Sequence, residues 1–454
     1  MMHLSTSIQT KTAQEPTWET GADSQVGFGR LLSIVTLAVV VKAALLFVLL
    51  PHFQSYSAQA YGVERFPDGY DRIAWNLVQG NGYRVFPDTS RTMLRSPGYV
   101  LLLSLIFAVF GTSLLAVQVV NVVFSVVAAV LTQVLAREAG LSRTTSTIAA
   151  LVFFFHPGVL VAESRGGPEI MLTLCLVASV LLTVVALVRQ KWPSFAMAGV
   201  VNGLAMLVKS SVAPVLPVLF LYRTWKTPDK LMRSKIFAGM VICGFATVLI
   251  MAPWIVRNYR VSGEFIPTMT VGGLAAFQGA YFIQHLDSHR ENVEIMEQAA
   301  DEQVAIANAM GLKQKGRFFP QFPRVSDEVL FYRELGRRAM DGYKHDPRLI
   351  LRGIVHNTWA FWAGGRTLKV ELLNAIVALP FLGLSGIGLA VGIRKGLAVF
   401  QFFLITVAFI VPHLLILAMA RYYIPIVPFV AILAAIPLSD WFERFTSHGR
   451  PANA

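Results

Sequence analysis

Long apolar segments constrain this chain more than any other feature of its sequence. Windows of about 15 to 24 apolar residues begin near Arg30, Ser113, Thr144, Ile170, Phe195, Ser211, Ile236, Leu372, Leu397 and Tyr423. Since about 20 apolar residues in a helix span the hydrocarbon core of a bilayer, we expect about ten transmembrane helices. Charged residues make up only 14% of the 454 residues, against roughly a quarter in a soluble domain. The expected fold class is an all-α polytopic membrane protein.

Two apolar runs need separate interpretations. Pro97 to Phe110 is about 14 residues long, which is short for a span, so we expect a re-entrant or juxtamembrane helix there. The first apolar run follows 28 polar residues and lacks a small-residue cleavage site. It is therefore expected to be a retained span and not a cleaved signal peptide.

The basic residues predict the orientation of the chain. Its formal net charge is +13, and the densest basic run, residues 223–235, is a short loop between apolar segments. Such a loop is typical of the cytoplasmic side of a membrane protein, where Lys and Arg are enriched, and not of a nucleic-acid surface. We therefore expect membrane lipid and no nucleic acid as a partner. The predicted parts are a cytoplasmic tail 1–29, a transmembrane core 30–256 with an outer loop 52–111, an outward-facing small helical domain 257–352, transmembrane helices 353–440 and a cytoplasmic tail 441–454.

The first outer loop contains two carboxylates at the start of a short amphipathic helix. Apolar residues at helical spacing predict that this helix begins near Asp68 and ends at Gly80. Asp68 could serve only as an N-cap and Asp71 only as a first-turn carboxylate favoured by the helix dipole. Alternatively, a carboxylate held at the outer bilayer surface could act as a general base.

Four cationic side chains lie at predicted outer ends of spans: Arg95, Lys209, Arg257 and Arg421. Each alone could be an interfacial anchor. Together they could bind phosphate or pyrophosphate, because Arg offers a planar fork and Lys a point charge to phosphate oxygens. Polar residues near the membrane are costly, which makes such a cluster a candidate for function.

Metal and cofactor signals are weak. His285 and His289 have a ligand-like spacing, but the sequence offers no clear third ligand, and His156 and His413 lie beside prolines in apolar runs. Nucleotide-binding and serine-hydrolase motifs are absent from the sequence. We expect no cofactor and no tightly bound metal, and a loosely bound divalent cation is left as an alternative.

Several segments resemble one family of membrane enzymes. They are Asp68 to Tyr83, Arg95 to Tyr99, Pro157 followed by Glu169, Ala252 to Pro267, and Ala420 to Pro428. In this order they are similar to the superfamily C glycosyltransferases that use polyprenyl-phosphate-linked sugars, in particular glycosyltransferase family 39, the protein O-mannosyltransferases and the aminoarabinose lipid A transferases. The resemblance implies an inverting transferase on the outer face of a bacterial inner membrane, acting on a lipid, glycan or protein acceptor.

The resemblance also implies roles for individual residues. Asp68 matches the catalytic base, but it stands two residues before Tyr70 where the family has about four, so Asp71 stays an alternative. In such enzymes outer Arg and Lys residues hold the lipid-linked phosphate, which implies this role for Arg95, at a position that is often Arg or Lys, and for Lys209, Arg257 and Arg421 at the other outer span ends. Supporting roles are implied for Tyr70, Tyr99, Glu169, Asn258 and Tyr422, with Pro168 standing where the family usually has Thr.

Three other functions are compatible with a polytopic membrane chain. A lipid-linked-sugar transporter or flippase would place charges near the middle of its spans, and these spans have none there. An O-antigen ligase or polymerase would use the same kind of donor without an aspartate in the first outer loop. A non-catalytic assembly subunit would not need Asp68.

Overall fold

The computed structural model describes residues 28–49, 66–286, 291–313 and 320–448, the side chains of 28–35, 67 and 446–448 excepted. Within these ranges the chain is helical and has no β-strand, which confirms the predicted all-α class. The chain divides into two compact units, residues 1–53 and residues 54–454. The first unit contains helix α1, Phe28–Ala44, which continues as a π-helical turn over Leu45–Leu49.

The described part of the second unit contains sixteen α-helices. In chain order they are α2 Tyr70–Val78, α3 Pro97–Phe110, α4 Leu114–Glu138, α5 Arg143–Phe154, α6 Pro157–Glu163, α7 Glu169–Arg189, α8 Trp192–Val208, α9 Val215–Lys226, α10 Lys230–Ser262, α11 Gly272–Gln284, α12 Asn292–Ala309, α13 Val325–His345, α14 Arg348–Ala363, α15 Leu368–Arg394, α16 Phe400–Leu415 and α17 Val427–His448. Short 3₁₀ turns cover Pro67–Gly69, Ser210–Val212 and Ala420–Ile426.

Fewer of these helices are long enough to cross a membrane than the sequence predicted. Among the described residues, α4, α7, α10, α15 and the segment Ala420–Phe445 have the length and hydropathy of a span, and α5 with α6 could form a sixth that is bent by 48°. The other apolar windows form helices of 17 residues or fewer. The count of about ten was too high by this criterion because Pro157, Lys209 and Pro228 interrupt or bound the apolar windows.

Close helix contacts bring the start of α3 to the end of α8. A Cβ atom at Gly98, in the first turn of α3, would lie 2.8 Å from the backbone carbonyl oxygen of Leu207. Only a residue without a side chain allows this approach. Arg95 precedes α3 and Lys209 follows α8 directly, so the contact places two predicted cationic residues at the same end of neighbouring helices.

The segment predicted as a small outward domain forms α11, α12 and α13. A shared apolar core joins these helices to the loop before α3 and includes Leu94, Phe277, Phe331 and Leu335. Helix α13 begins at Val325 after its N-cap Arg324, because Asp327 accepts hydrogen bonds from the backbone and side chain of Arg324.

Candidate active site

Asp68 lies in a strained turn before α2 and does not cap this helix. Its φ is 72° and that of Gly69 is 75°, both in the left-handed region. Such a conformation costs free energy for a residue other than glycine, although Asp tolerates it better than most. The N-cap of α2 is Gly69, and no side chain caps the helix. The interpretation of Asp68 as an N-cap is therefore wrong, and its carboxylate takes part in other contacts.

Two arginines from distant parts of the chain hold Asp68. Arg421 Nη2 lies 3.1 Å from Oδ1 and 3.0 Å from Oδ2 of Asp68. Arg95 donates from Nε to the backbone carbonyl of Asp68 at 2.9 Å, and its Nη2 lies 3.7 Å from Oδ1. The carboxylate is thus clamped between two guanidinium groups that come from the loop before α3 and from the 3₁₀ turn before α17.

Glu169 and Lys209 complete the cluster. Glu169, the first residue of α7, has an Oε1 atom 3.9 Å from Arg421 Nη1, and its side chain is 9% exposed. The Nζ atom of Lys209 lies 3.6 Å from the ring centroid of Tyr422, close enough to Asp68 and Glu169 to interact with both carboxylates electrostatically. In the described part of the chain, no hydrogen bond or ion pair is recorded for this ammonium group. Three cations and two carboxylates therefore converge, and Lys209 retains unused N–H donors.

Two tyrosines line the cluster beside Arg95. The guanidinium of Arg95 stacks over the ring of Tyr70, with 5.2 Å between Cζ and the ring centroid. Tyr70 in turn packs edge to face against Tyr99, whose side chain is fully buried. The hydroxyl of Tyr99 finds no hydrogen-bond partner among the described residues. The rings hold the guanidinium in place without neutralising its charge.

The two candidate bases have different electrostatic environments. Burial alone would raise the pKa of Asp68, but the guanidinium groups of Arg421 and Arg95 outweigh it and hold this pKa well below its usual range. Burial raises the pKa of Asp71, whose carboxylate bonds to backbone amides of its own helix turn. Asp71 forms none of the recorded ion pairs with Arg95, Lys209 or Arg421, so the structure brings the cations to Asp68 and not to Asp71.

Arg257 and Asn258 lie in a neighbouring network near the end of α10. Arg257 donates from Nη1 to the backbone carbonyl of Thr92 at 2.8 Å and to Asn258 Oδ1 at 3.0 Å. The guanidinium lies over the rings of Trp254 and Tyr83. Asn258 donates to the carbonyl of Ile266. Of the four predicted cations, Arg257 therefore contacts the loop that contains Arg95 instead of the carboxylates of the cluster.

Sequence reasoning missed the role of one buried acid in this network. Glu328 in α13 is fully buried, and its Oε1 accepts hydrogen bonds from the backbone N–H of Met93 at 2.9 Å and from Thr270 Oγ1 at 2.6 Å. Glu328 was not singled out from the sequence. Glu328 and Met93 are 235 positions apart, so no local sequence pattern indicates their contact.

The histidines singled out in the sequence have local partners. His285 is the C-cap of α11 and its ring stacks on Tyr281, while His289 lies outside the described residues. His156 accepts a hydrogen bond from the backbone N–H of Gly158 at 3.1 Å, and His413 lies 3.0 Å from the carbonyl of Phe409. Within the described ranges no group of three or more His, Cys, Asp or Glu side chains is placed to hold a metal ion.

Two comparisons of sequence bear on this site. Residues 94–256 match the family of dolichyl-phosphate-mannose-protein mannosyltransferases. This range contains Arg95, Glu169 and Lys209, ends just before Arg257, and excludes Asp68 and Arg421. An uncharacterized protein of Aquifex aeolicus is 28% identical over 212 residues, which cover 42% of each chain.

The fold is similar to that of solved archaeal structures. The Archaeoglobus fulgidus oligosaccharyltransferase in its apo form superposes with a TM-score of 0.57 at 16% identity, over 94% of this chain and 52% of that one. Its complex with an inhibitory peptide and a dolichol-phosphate gives 0.52 at 15% identity, over 93% and 52%. The chain thus spans about half the length of these enzymes. The family match and the shared fold confirm the resemblance predicted from the sequence.

Proposed function

We propose that this protein is a membrane glycosyltransferase that moves a sugar from a polyprenyl-phosphate carrier to an acceptor hydroxyl or amine. The observation that carries the proposal is the clamp of Arg95 and Arg421 on Asp68, with Lys209 beside it. This arrangement combines a carboxylate base with cations that suit a phosphate leaving group. The match to mannosyltransferases and the dolichol-phosphate in the archaeal relative support the class of donor.

The proposed reaction is a single displacement at the anomeric carbon. The acceptor oxygen or nitrogen forms a bond to this carbon, and its proton passes to the carboxylate of Asp68. The bond between the carbon and the phosphate oxygen breaks, and the electron pair leaves with the polyprenyl phosphate. Lys209, Arg95 and Arg421 stabilise the charge that develops on this phosphate. One displacement inverts the configuration of the sugar.

Unused donors in the cluster favour an anionic ligand. Among the described residues, Nζ of Lys209 contacts the ring of Tyr422 but has no hydrogen bond, and Nε of Arg421 is buried without a hydrogen-bond partner. Buried donors without acceptors are costly, and a phosphate oxygen would supply the acceptor. Like charges gathered at a low-dielectric surface repel one another, and an anion between them removes this repulsion.

Donor binding would also change the basicity of Asp68. In the donor-free structure the two guanidinium groups hold its pKa well below the usual range, which makes the carboxylate a weak base. A phosphate that draws the guanidinium groups toward itself weakens this ion pair and lets the pKa rise. Asp68 would therefore become an effective base only when the donor is present, which limits unproductive reaction without it.

The test is a transfer assay with purified protein in detergent. Mass spectrometry of glycolipids and glycoproteins from cells with and without the gene first identifies the sugar and the acceptor. The assay then supplies that sugar on undecaprenyl phosphate and on dolichyl phosphate, and measures the glycosylated acceptor together with the released lipid phosphate. We expect both products in equal amounts.

Other functions give different results in the same assay. A flippase has no second compartment in detergent and would leave the donor intact. A ligase or polymerase would use a donor linked through pyrophosphate and would ignore the monophosphate. Either outcome would contradict the proposed function.

A further inference from the structure

Glu328 stands out among the buried ionisable groups because it joins three separate segments of the chain. Its side chain is fully buried, and its Oε1 atom accepts from the Met93 backbone amide and from the Thr270 hydroxyl. Among the described residues these are the two hydrogen bonds of the carboxylate, and its Oε2 atom is buried without a partner. A buried carboxylate is costly unless donors surround it, so these bonds are what make its position tolerable.

The segment that Glu328 holds is the one that ends in Arg95. Residues 92–95 also receive a hydrogen bond from the Thr270 amide to the Met93 carbonyl at 2.9 Å and one from the Tyr83 hydroxyl to the Arg95 carbonyl at 2.8 Å. Leu94 is buried in the apolar core of α11 to α13. The backbone before Arg95 is therefore fixed by Tyr83 from its own loop and by Glu328 and Thr270 from outside it.

Arg95 follows Met93 by only two positions, and its Nε atom donates to the backbone carbonyl of Asp68. A displacement of this backbone would move the guanidinium relative to both the carboxylate and a bound phosphate. Errors of about 1 Å in the position of a reacting group can cost about 10²-fold in rate. The location of Glu328 in α13 thus links the helices after α10 to the candidate active site.

We propose that Glu328 is a positioning residue that holds Arg95 in place for the donor phosphate. This inference rests on the proposed function, because it takes Arg95 as a phosphate ligand. Glu328 does not touch the substrate. It acts through the Met93 amide, and it makes α13 a structural requirement for donor binding.

The test compares variants of Glu328 with a matched variant of its neighbour. Glu328→Ala removes the acceptor of the Met93 amide, whereas Glu328→Gln keeps an oxygen that can accept the same bonds. Asp327→Ala removes the pairing with Arg324 at the start of the same helix without touching residues 92–95. Binding of undecaprenyl phosphate is measured by native mass spectrometry, undecaprenol serves as the phosphate-free control, and the melting temperature of each variant is recorded.

We expect Glu328→Ala to weaken undecaprenyl phosphate binding about 10-fold or more and to speed hydrogen exchange at the Met93 amide. Glu328→Gln should restore binding to within about 3-fold of the wild type, and Asp327→Ala should bind like the wild type even if it melts earlier. If Glu328→Ala does not fold, Glu328→Asp withdraws the carboxylate by about 1.5 Å and should still weaken binding.

Three results would overturn the inference. A folded Glu328→Ala or Glu328→Asp variant with normal binding would show that Arg95 does not need Glu328. Equal losses in Asp327→Ala and Glu328→Ala would show a general loosening of α13. A wild-type protein that binds undecaprenyl phosphate no better than undecaprenol would instead contradict the proposed function itself, and with it the reason for positioning Arg95.

Discussion

Single residues account for most of the chemistry that this fold could perform, and Asp68 is the clearest case. Its backbone is left-handed, its carbonyl accepts from Arg95, and its carboxylate pairs with Arg421. Arg95 therefore contacts both the backbone and the carboxylate of Asp68, whereas Arg421 contacts the carboxylate alone. Strain of this kind costs of order 1–3 kcal/mol and persists only where surrounding contacts enforce it.

Asp68→Asn is expected to abolish most transfer while leaving the fold intact. Asn tolerates the left-handed region about as well as Asp, so the change removes the base without adding backbone strain. A general base contributes about 10²–10⁴-fold in rate, and a loss of this size in kcat is expected. Asp71→Asn is the matched control and should lose far less. If the Asp71 variant were inactive and the Asp68 variant active, Asp71 would be the base.

The contribution of Arg421 to donor binding is expected to depend on the shape of its guanidinium group as well as on its charge. Arg421→Ala should weaken undecaprenyl phosphate binding about 10- to 100-fold, since hydrogen bonds to charged groups contribute about 1.5–3 kcal/mol. Arg421→Lys keeps the charge but loses the planar fork, so it should recover only part of the affinity. Lys395→Ala removes an exposed ion pair with Asp440 and serves as the control. Full binding by Arg421→Ala would remove this residue from the donor site.

At the scale of secondary structure, the sequence predicts the positions of residues at helix ends but not the contacts between distant segments. Arg95, Lys209 and Arg421 all lie at helix ends, so their convergence could be predicted from the pattern of apolar segments. The partners of Arg257 could not be predicted, because they depend on how the loop before α3 packs against α10. Glu328 was missed for the same reason, since its contacts join segments far apart in the chain. Helix identity follows from local periodicity, whereas these contacts follow from tertiary packing.

The contact of α3 with α8 is expected to control the separation of Arg95 and Lys209. Gly98→Val would press a side chain against the backbone of Leu207, and overpacking of this kind typically costs about 1–3 kcal/mol. The expected result is weaker binding of undecaprenyl phosphate together with a lower melting temperature. Gly383→Val is the control, because a Cβ atom there meets nothing within 4 Å. Equal behaviour of the two variants would show that this helix contact is not needed.

At the scale of the whole molecule, the all-α membrane fold and the resemblance to glycosyltransferases could be predicted, the number of long spans could not, and the domain boundaries stay a prediction. Composition and apolar windows determine that the chain is helical and crosses a membrane several times. Not every apolar window forms a helix long enough to span a bilayer, and α9, for example, has only 12 residues. The orientation in the membrane stays a prediction from the distribution of Lys and Arg.

Cysteine labelling tests this orientation in intact cells. Cys175 and Cys243 are first replaced by Ala, and single cysteines are then placed at Lys230 and at Glu294, both of which are exposed. A membrane-impermeant maleimide should label the cysteine at position 294 and leave that at position 230 unlabelled until the cells are opened. Labelling at position 230 in intact cells would invert the scheme, and the active site would then face the cytoplasm.

The unequal number of cations and carboxylates around Asp68 has a consequence for turnover. The cluster has one unit of excess positive charge, because it contains three cations and two carboxylates: Arg95, Lys209 and Arg421 with Asp68 and Glu169. On the proposed function the donor is a phosphodiester with a single negative charge, which this excess balances. The product is a phosphomonoester whose second ionisation has a pKa of about 6, so at neutral pH it carries about 1.5 to 2 negative charges. Once Asp68 has released the proton that it took from the acceptor, the spent carrier would exceed the charge that the cluster neutralises, and repulsion from the carboxylates would favour its departure into the lipid before the next donor arrives.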